Sequence, residues 1–375
     1  METTRQALMN DTSVVRILYM ALELSGNKWK VAIADGQRAP SQRSIAAGDT
    51  SELLQVVEKA KTRCRLPGVV RVLSCYEAGR DGFWLHRWLL EQGIENVVVD
   101  SSSIEVNRRA RRAKSDRLDA AKLYEMRIRH SVGEKRLWRV VRVPSVQQED
   151  ERRVHRELER LKRERNAHIN RMRSLAVLHN VRLGKVGGRG WSERLPQLKE
   201  QLPAGLWAEI ERESVREQLV CQQMHTLEKS RQEQVKHMSQ GPLVALLKLR
   251  GIGLTSAWLL TRELFGWRGF GNRRQLAGCA GLNPSPYDSG DCQREQGISK
   301  AGNRRVRALL VELAWYWLRY QARSALSAWF TRRFAAGGKR MRRIGIVALA
   351  RRLLIALWRY VAHGVIPEGA QLKSA

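Results

Sequence analysis

The sequence predicts an α/β domain in front and a mostly helical, strongly basic domain behind, with a charged helical arm between them. Two observations predict this. Short β-rich runs alternate with helical runs up to Pro144, and long charged segments carrying one apolar stripe follow it. A third concerns charge: the last 135 residues hold 23 basic and only 6 acidic side chains.

Residues 1–13 are polar and read as a flexible tail. Val14–Leu24 and Lys28–Asp35 are strand-like and are joined by the turn residues Ser25-Gly26-Asn27, and Gln42–Ala46 is a third strand. Residues 50–63 then read as a helix, Val69–Cys75 as a strand, Phe83–Gln92 as a helix, Asn96–Asp100 as a short buried strand and Ser115–Arg129 as a helix. The order β-β-β-α-β-α-β-α, over residues 14–146, is that of a ribonuclease-H-type fold. Residues 147–240 follow as a helical hairpin or coiled-coil arm. Its first helix shows the stripe Val154, Leu158, Leu161, Ile169, Met172 and Leu175, with a polar gap after Leu161, and the Gly-rich stretch Gly184–Gly190 ends it. Residues 241–366 form the basic domain: a compact region Leu243–Phe270, a Gly/Pro-rich loop Gly278–Gly290, a helix Asn303–Phe334 and a last helix Ile344–His363. Residues 367–375 read as a tail.

A 375-residue chain with 43% hydrophobic residues can bury a sizeable core. Its 68 Lys and Arg against 37 acids, a net charge of +31, point to a polyanionic partner, and nucleic acid is the first choice. The five cysteines form no C-x-x-C and the eight histidines no H-E-x-x-H, so neither a zinc ribbon nor a disulfide framework is indicated, as suits a reducing cytosol. There is no P-loop, no signal peptide and no apolar run long enough to span a bilayer, so no membrane partner is expected.

Four carboxylates fall where phosphodiester chemistry would want them. Glu23 lies near the end of the first strand, Glu77 just past the fourth, and Asp116 and Asp119 in the first turn of the helix that follows the fifth. Residues three apart share a helix face, and hard carboxylate oxygens suit two Mg²⁺ ions clamping attacking and leaving oxygens. Plainer readings exist: Asp116 follows the N-cap Ser115 and suits the helix dipole, Asp119 could pair with Arg117 or Lys122 on the surface, and Glu23 could end a strand at the surface, whereas Glu77, after an apolar strand and before Ala78-Gly79, is harder to dismiss.

In the basic domain, Gly251-Ile-Gly253 reads as a turn between helices whose backbone N–H groups could face a phosphate, or equally as a simple glycine cap. Asp288-Ser289-Gly290 is a turn tripeptide that could also present a serine nucleophile. Lys300, Asn303, Arg304, Arg305 and Arg307 open a basic helix suited to phosphate contacts, with a solvated cationic face as the alternative. Trp315, Tyr316, Trp317 and Tyr320 read either as base-stacking groups or as core packing.

Together these segments resemble the DEDD transposases of the bacterial insertion-sequence-110 family, including its 1111-type branch. The resemblance rests on Ala21-Leu-Glu-Leu-Ser, Cys75-Tyr-Glu-Ala-Gly and Lys114-Ser-Asp-Arg-Leu-Asp-Ala-Ala in front, and behind on Gly251-Ile-Gly, Ala280-Gly-Leu-Asn-Pro, Ser289-Gly290 and Ile298-Ser-Lys-Ala-Gly-Asn-Arg-Arg-Val-Arg. It implies a RuvC-like, ribonuclease-H-like first domain holding Mg²⁺ on Glu23, Glu77, Asp116 and Asp119, and a second domain in which Ser289 attacks phosphorus. It further implies double-stranded donor and target DNA, an element-encoded bridge RNA that chooses the sites, and a homodimer or homotetramer in which domains of partner subunits form a composite site. Glu23 stands where the family usually has aspartate, one methylene shorter. Two other functions fit the composition: a hydrolytic RuvC-like nuclease or junction resolvase, and a non-catalytic nucleic-acid-binding protein.

Overall fold

The computed structural model describes residues 16–66, 68–79, 82–104, 116–134, 137–188, 190–289 and 292–373; of residues 102, 116–118, 286–289 and 292–296 it describes the backbone alone. The chain folds as two compact units, residues 1–144 and 145–375.

In the first unit a five-stranded sheet has the order β3-β2-β1-β4-β5, with β1 Arg16–Leu24, β2 Lys28–Ala34, β3 Ser41–Ala46, β4 Val70–Glu77 and β5 Glu95–Val99. The first three strands pair antiparallel, and β4 and β5 join parallel to β1. The central strand is apolar on both sides because both sides are covered. Leu18, Met20 and Leu22 pack with Leu53, Val57, Leu85 and Leu89 from α1 Thr50–Arg63 and α2 Trp84–Glu91. Tyr19 and Ala21 face the other way, onto Ala120, Leu123 and Tyr124 of α3 Asp116–Ser131. The β-β-β-α-β-α-β-α order expected from the sequence is therefore present.

Three contacts fix how α3 lies. Its last residue donates Ser131 Oγ to Tyr19 Oη at 3.1 Å, near the start of β1. Two turns earlier Leu123 O accepts from Cys75 Sγ at 3.6 Å, late in β4. Between them Arg127, itself buried, donates Nε to Ser74 O at 3.0 Å. The helix thus runs antiparallel to β1 and β4, and its first turn lies toward the ends of those strands.

The second unit opens with a capping box, Ser145 and Gln148, on the short helix α4 Val146–Asp150. Two long helices follow, α5 Arg153–Val177 and α7 Ala204–Lys236, with the short helix α6 Trp191–Arg194 between them. They are antiparallel: Arg165 bonds Glu217 at 2.9 Å while His168 and Arg171 each reach Glu213 at 2.6 Å. These pairs fill the polar gap in the apolar stripe. Beyond the gap Ile169, Met172 and Ala176 pack against Trp191, Leu202 and Ile210.

The remaining helices share one core around Trp258, Leu310, Trp317, Leu349 and Leu353. They are α8 Pro242–Lys248, α9 Leu254–Leu260, α10 Arg273–Cys279, α11 Arg304–Tyr320, α12 Ala325–Phe334 and α13 Lys339–His363.

Three expectations need correction here. The Gly278–Gly290 loop contains a strand: β6 Pro284–Ser289 pairs antiparallel with β7 Cys292–Ile298. Its prolines are tolerated because both strands of a two-stranded ribbon are edges, and the register shifts between Pro284 and Pro286. The helix expected over Asn303–Phe334 is two helices. Gln321 is buried and turns its amide to Arg250 O and Gln371 O, and Ser324 caps α12 while accepting from Trp317 Nε1 at 2.9 Å. The stretch read as a tail is docked as far as Lys373, where Arg250 N donates to Gln371 O and Lys373 N to Lys248 O.

Candidate functional site

At the end of the first unit's sheet, the parallel register pairs Leu22 with Tyr76, so Glu23 and Glu77 are the next residues of neighbouring strands. Side chains alternate along a strand, and Ala21 and Cys75 face α3, so Glu23 and Glu77 belong to the α3 side as well. Glu23 Oε2 is shielded from solvent, and Glu77 is half-buried. Asp119 is half-buried one turn before Leu123, on the part of α3 directed to these strand ends. Asp116 begins the helix, and its side chain lies outside the described residues. The architecture therefore directs Glu23, Glu77 and Asp119 to one end of one sheet face. Their oxygens are the donor type Mg²⁺ takes, although no three acid, His or Cys side chains among the described residues converge closely enough to hold an ion. Beneath them the Cys75 thiol is buried and its pKa is pushed up by burial to about 12, which leaves it inert as a ligand.

In the second unit the motif series divides between the two ends of α11, with Gly251 against Tyr320 at its C-terminal end and the Gly281 and Lys300–Asn303 turns at its N-terminal end. Gly251 has φ +89° in the turn between α8 and α9, and a Cβ there would meet Tyr320 Cβ at 3.0 Å. Gly253 precedes α9 in ordinary extended backbone. Ala280-Gly281 and Ala301-Gly302 form two turns pressed backbone to backbone. A Cβ at Gly281 would meet Ala301 O at 2.5 Å, and one at Gly302, φ +128°, would meet Cys279 O at 2.5 Å. Lys300 N donates to Gly281 O, and Asn303 N to Cys279 O at 2.7 Å. Close backbone approach accounts for these two glycines.

The expected phosphate-binding residues divide accordingly. Lys300, held at φ +56°, and Arg304 are exposed. Asn303 caps α11, accepting from Arg305 N and Val306 N, and donates Nδ2 to Glu263 Oε2 at 2.9 Å. Arg305 Nε bonds Glu159 of the arm, and Arg307 Nη1 donates to Ala280 O at 3.1 Å. Ser289 is the last residue of β6, paired with Cys292, so it stands at the tip of a hairpin; its side chain and Gly290-Asp291 lie outside the described residues.

Glu263 was not singled out in the sequence, yet it joins arm and basic domain. It sits in a π-helical turn, Thr261–Phe265, with its side chain 1% exposed. It accepts from His155 Nε2 at 2.8 Å, from Arg156 through both oxygens at 2.9 and 3.1 Å, and from Asn303. Burial alone would raise its pKa. The hydrogen bonds from His155 and Arg156, with the Arg156 charge, outweigh that and hold it far below the usual carboxylate range. The sequence signal was an acid, Glu263, flanked by apolar residues on both sides of the Thr261–Glu263 polar step.

The family model described as transposase IS116/IS110/IS902 family matches residues 244–329, which span Gly251, Ser289 and the Lys300–Arg307 series. A Sinorhizobium fredii protein named as a transposase, y4rJ, is 39% identical over 95% of each chain. The transposase for insertion sequence element IS1111A of Coxiella burnetii is 26% identical over 68% of this chain and 66% of its own. Another from Yersinia enterocolitica, for element IS1328, is 26% identical over 57% and 63%. This chain belongs to the IS116/IS110/IS902 family of transposases.

Proposed function

We propose that the chain is the transposase of a bacterial insertion sequence and that it cuts and rejoins DNA strands through a serine-linked intermediate, guided by an element-encoded RNA. The observation that carries the reading is the direction of Glu23, Glu77 and Asp119 to one end of a sheet with the ribonuclease-H strand order, in a chain of this family. In the RuvC-like site, Glu23, Glu77, Asp116 and Asp119 would hold Mg²⁺, most economically two ions, which supply charge neutralisation and Lewis acidity at phosphorus when bound. Glu23 is one methylene longer than aspartate and takes its place from a strand position that also pairs with Lys30.

Ser289 supplies the nucleophile. Its Oγ forms a bond to phosphorus as the bond from phosphorus to the sugar oxygen breaks, and the serine's proton is transferred in net to that sugar oxygen, which leaves on the other strand end as a free hydroxyl. The phosphoserine bond conserves the phosphodiester energy, so rejoining needs no nucleotide hydrolysis. Its place as the last residue of β6, at a hairpin tip, is compatible with this role. Lys300 and Arg304, exposed and beside the interlocked glycine turns, are the side chains best placed to meet phosphates. Donor and target DNA, the RNA, and assembly as a homodimer or homotetramer belong to the same reading. Among the described residues no helix is long and apolar enough to cross a membrane.

The test is cleavage of element-end DNA by purified Glu77→Gln and Asp119→Asn variants across a Mg²⁺ titration. Loss of cleavage in both, with the fold retained by circular dichroism, is expected; unchanged cleavage removes the acids from the chemistry.

A further inference from the structure

The aromatic cluster of α11 divides between two environments. Trp317 is 2% exposed and packs in the core with Val306, Leu310 and Leu313. Trp315, Tyr316 and Tyr320 are 45, 41 and 39% exposed. Trp315 and Arg319, four apart, lie along one line of the helix surface, and Tyr316 and Tyr320, also four apart, along a line about 100° round from it; the Arg319 guanidinium lies 5.5 Å from the Tyr320 ring centre and links the two rows. The Tyr316 and Tyr320 rings are 6.3 Å apart and inclined by 32°. The face continues into the α8–α9 turn, because Gly251 lies flush against Tyr320 and leaves no side chain between the turn and the ring. Arg250, which also donates to Gln371, and Arg323 flank it and are exposed, with Glu312 on α11 and Glu368 next to Arg323 as exposed acids nearby.

Three rings, each 39–45% exposed and grouped with arginines, form a mixed apolar and cationic face of the kind that takes a partner. Cations interleaved with flat rings fit a polyanion that also offers flat apolar faces. Unpaired nucleic-acid bases do this; a duplex keeps its base faces stacked inside. We infer that Trp315, Tyr316 and Tyr320 form a stacking strip for unpaired DNA bases, with Arg250, Arg319 and Arg323 beside the sugar-phosphate path. The commitment to DNA follows from the reading of the chain as a DNA strand transferase, since cutting and exchanging strands frees an unpaired DNA end that must be held until it is rejoined. Tyr316 and Trp315 are then positioning residues, apart from the cutting chemistry.

The test measures binding and not joining, so its failure is distinguishable from failure of the proposed reaction. The full-length chain is titrated into a fluorescein-labelled oligothymidine, a labelled duplex of equal length and an oligouridine, reading anisotropy. Trp315→Leu and Tyr316→Leu should each weaken oligothymidine binding by about five- to a hundredfold. Tyr316→Phe should keep parental affinity, because it keeps the ring, and the Leu variants should bind duplex as the parent does. Unchanged oligothymidine binding by both Leu variants would overturn the strip. So would an equal loss on duplex, or a loss confined to oligouridine, which would mark a general cationic face or an RNA contact.

Discussion

Removing the Glu263 carboxylate should undo the junction between the arm and the basic domain. The side chain is buried and serves four donors: His155 Nε2, two nitrogens of Arg156 and Asn303 Nδ2. Glu263→Ala strands His155, which is itself buried, and takes the anchor from the residue that caps α11. Breaking a buried ion pair from one side costs about 3–5 kcal/mol. For a folded unit of this size that corresponds to a melting-temperature drop of roughly 6–20 °C. Arg156→Ala should cost less, since its side chain is 42% exposed, and the double variant should fall short of the sum of the singles. Acid adds a second signature. The folded-state pKa of Glu263 lies below its ordinary value of 4.5, so its ionisation stabilises the fold at higher pH, and that contribution is lost as pH falls through the folded-state value. The parent should therefore lose stability into strong acid more steeply than Glu263→Gln does. Thermal melts followed by circular dichroism from neutral to acid pH read both effects. A Glu263→Ala drop below about 2 °C, or additive singles, would refute the idea that this carboxylate joins arm and domain.

Gly302→Ala should destabilise the second unit by about 2–4 kcal/mol in denaturant titration, because φ is +128° and a Cβ would strike Cys279 O; Gly253→Ala, in ordinary backbone with open space around it, should cost under about 1 kcal/mol in the same titration. Cys75 should resist iodoacetamide in the native chain, its thiol being buried and its pKa raised to about 12, and should react only on unfolding; rapid native labelling, read by mass spectrometry, would show that α3 does not cover the strand end. Glu23→Asp, which restores the family's usual residue, should retain Mg²⁺-dependent cleavage of element-end DNA while Glu23→Gln should lose it, and a fully active Gln variant would detach Glu23 from metal binding.

The front unit was legible because its strands state their burial in alternation or in continuous apolar runs. Leu18, Met20 and Leu22 against Tyr19 and Ala21 declare a strand covered on both faces, and Glu23 breaks that pattern where the sheet ends. The back unit was less legible because its punctuation is tertiary. Nothing in the run Leu318–Ser327 marks a helix break as firmly as the buried Gln321 amide, which is held by Arg250 and by Gln371, far apart in sequence. Pro284 and Pro286 argued for a loop, since proline is excluded from central strands but not from a ribbon made only of edges. The polar gap after Leu161 was visible as a pattern, but its filling by Glu213 and Glu217 needed the second helix of the arm. Likewise Asn303 and Arg305 looked like phosphate ligands in the sequence, and only the fold shows them bonded to Glu263 and Glu159.

The serine chemistry meets its most direct test in a cleavage reaction on element-end DNA, with the element's RNA and Mg²⁺, resolved on a denaturing gel. The expected result is a protein–DNA adduct that forms with the parent, is absent from Ser289→Ala, and disappears without metal. Cut strands with free ends and no adduct, or an adduct that survives in Ser289→Ala, would contradict it.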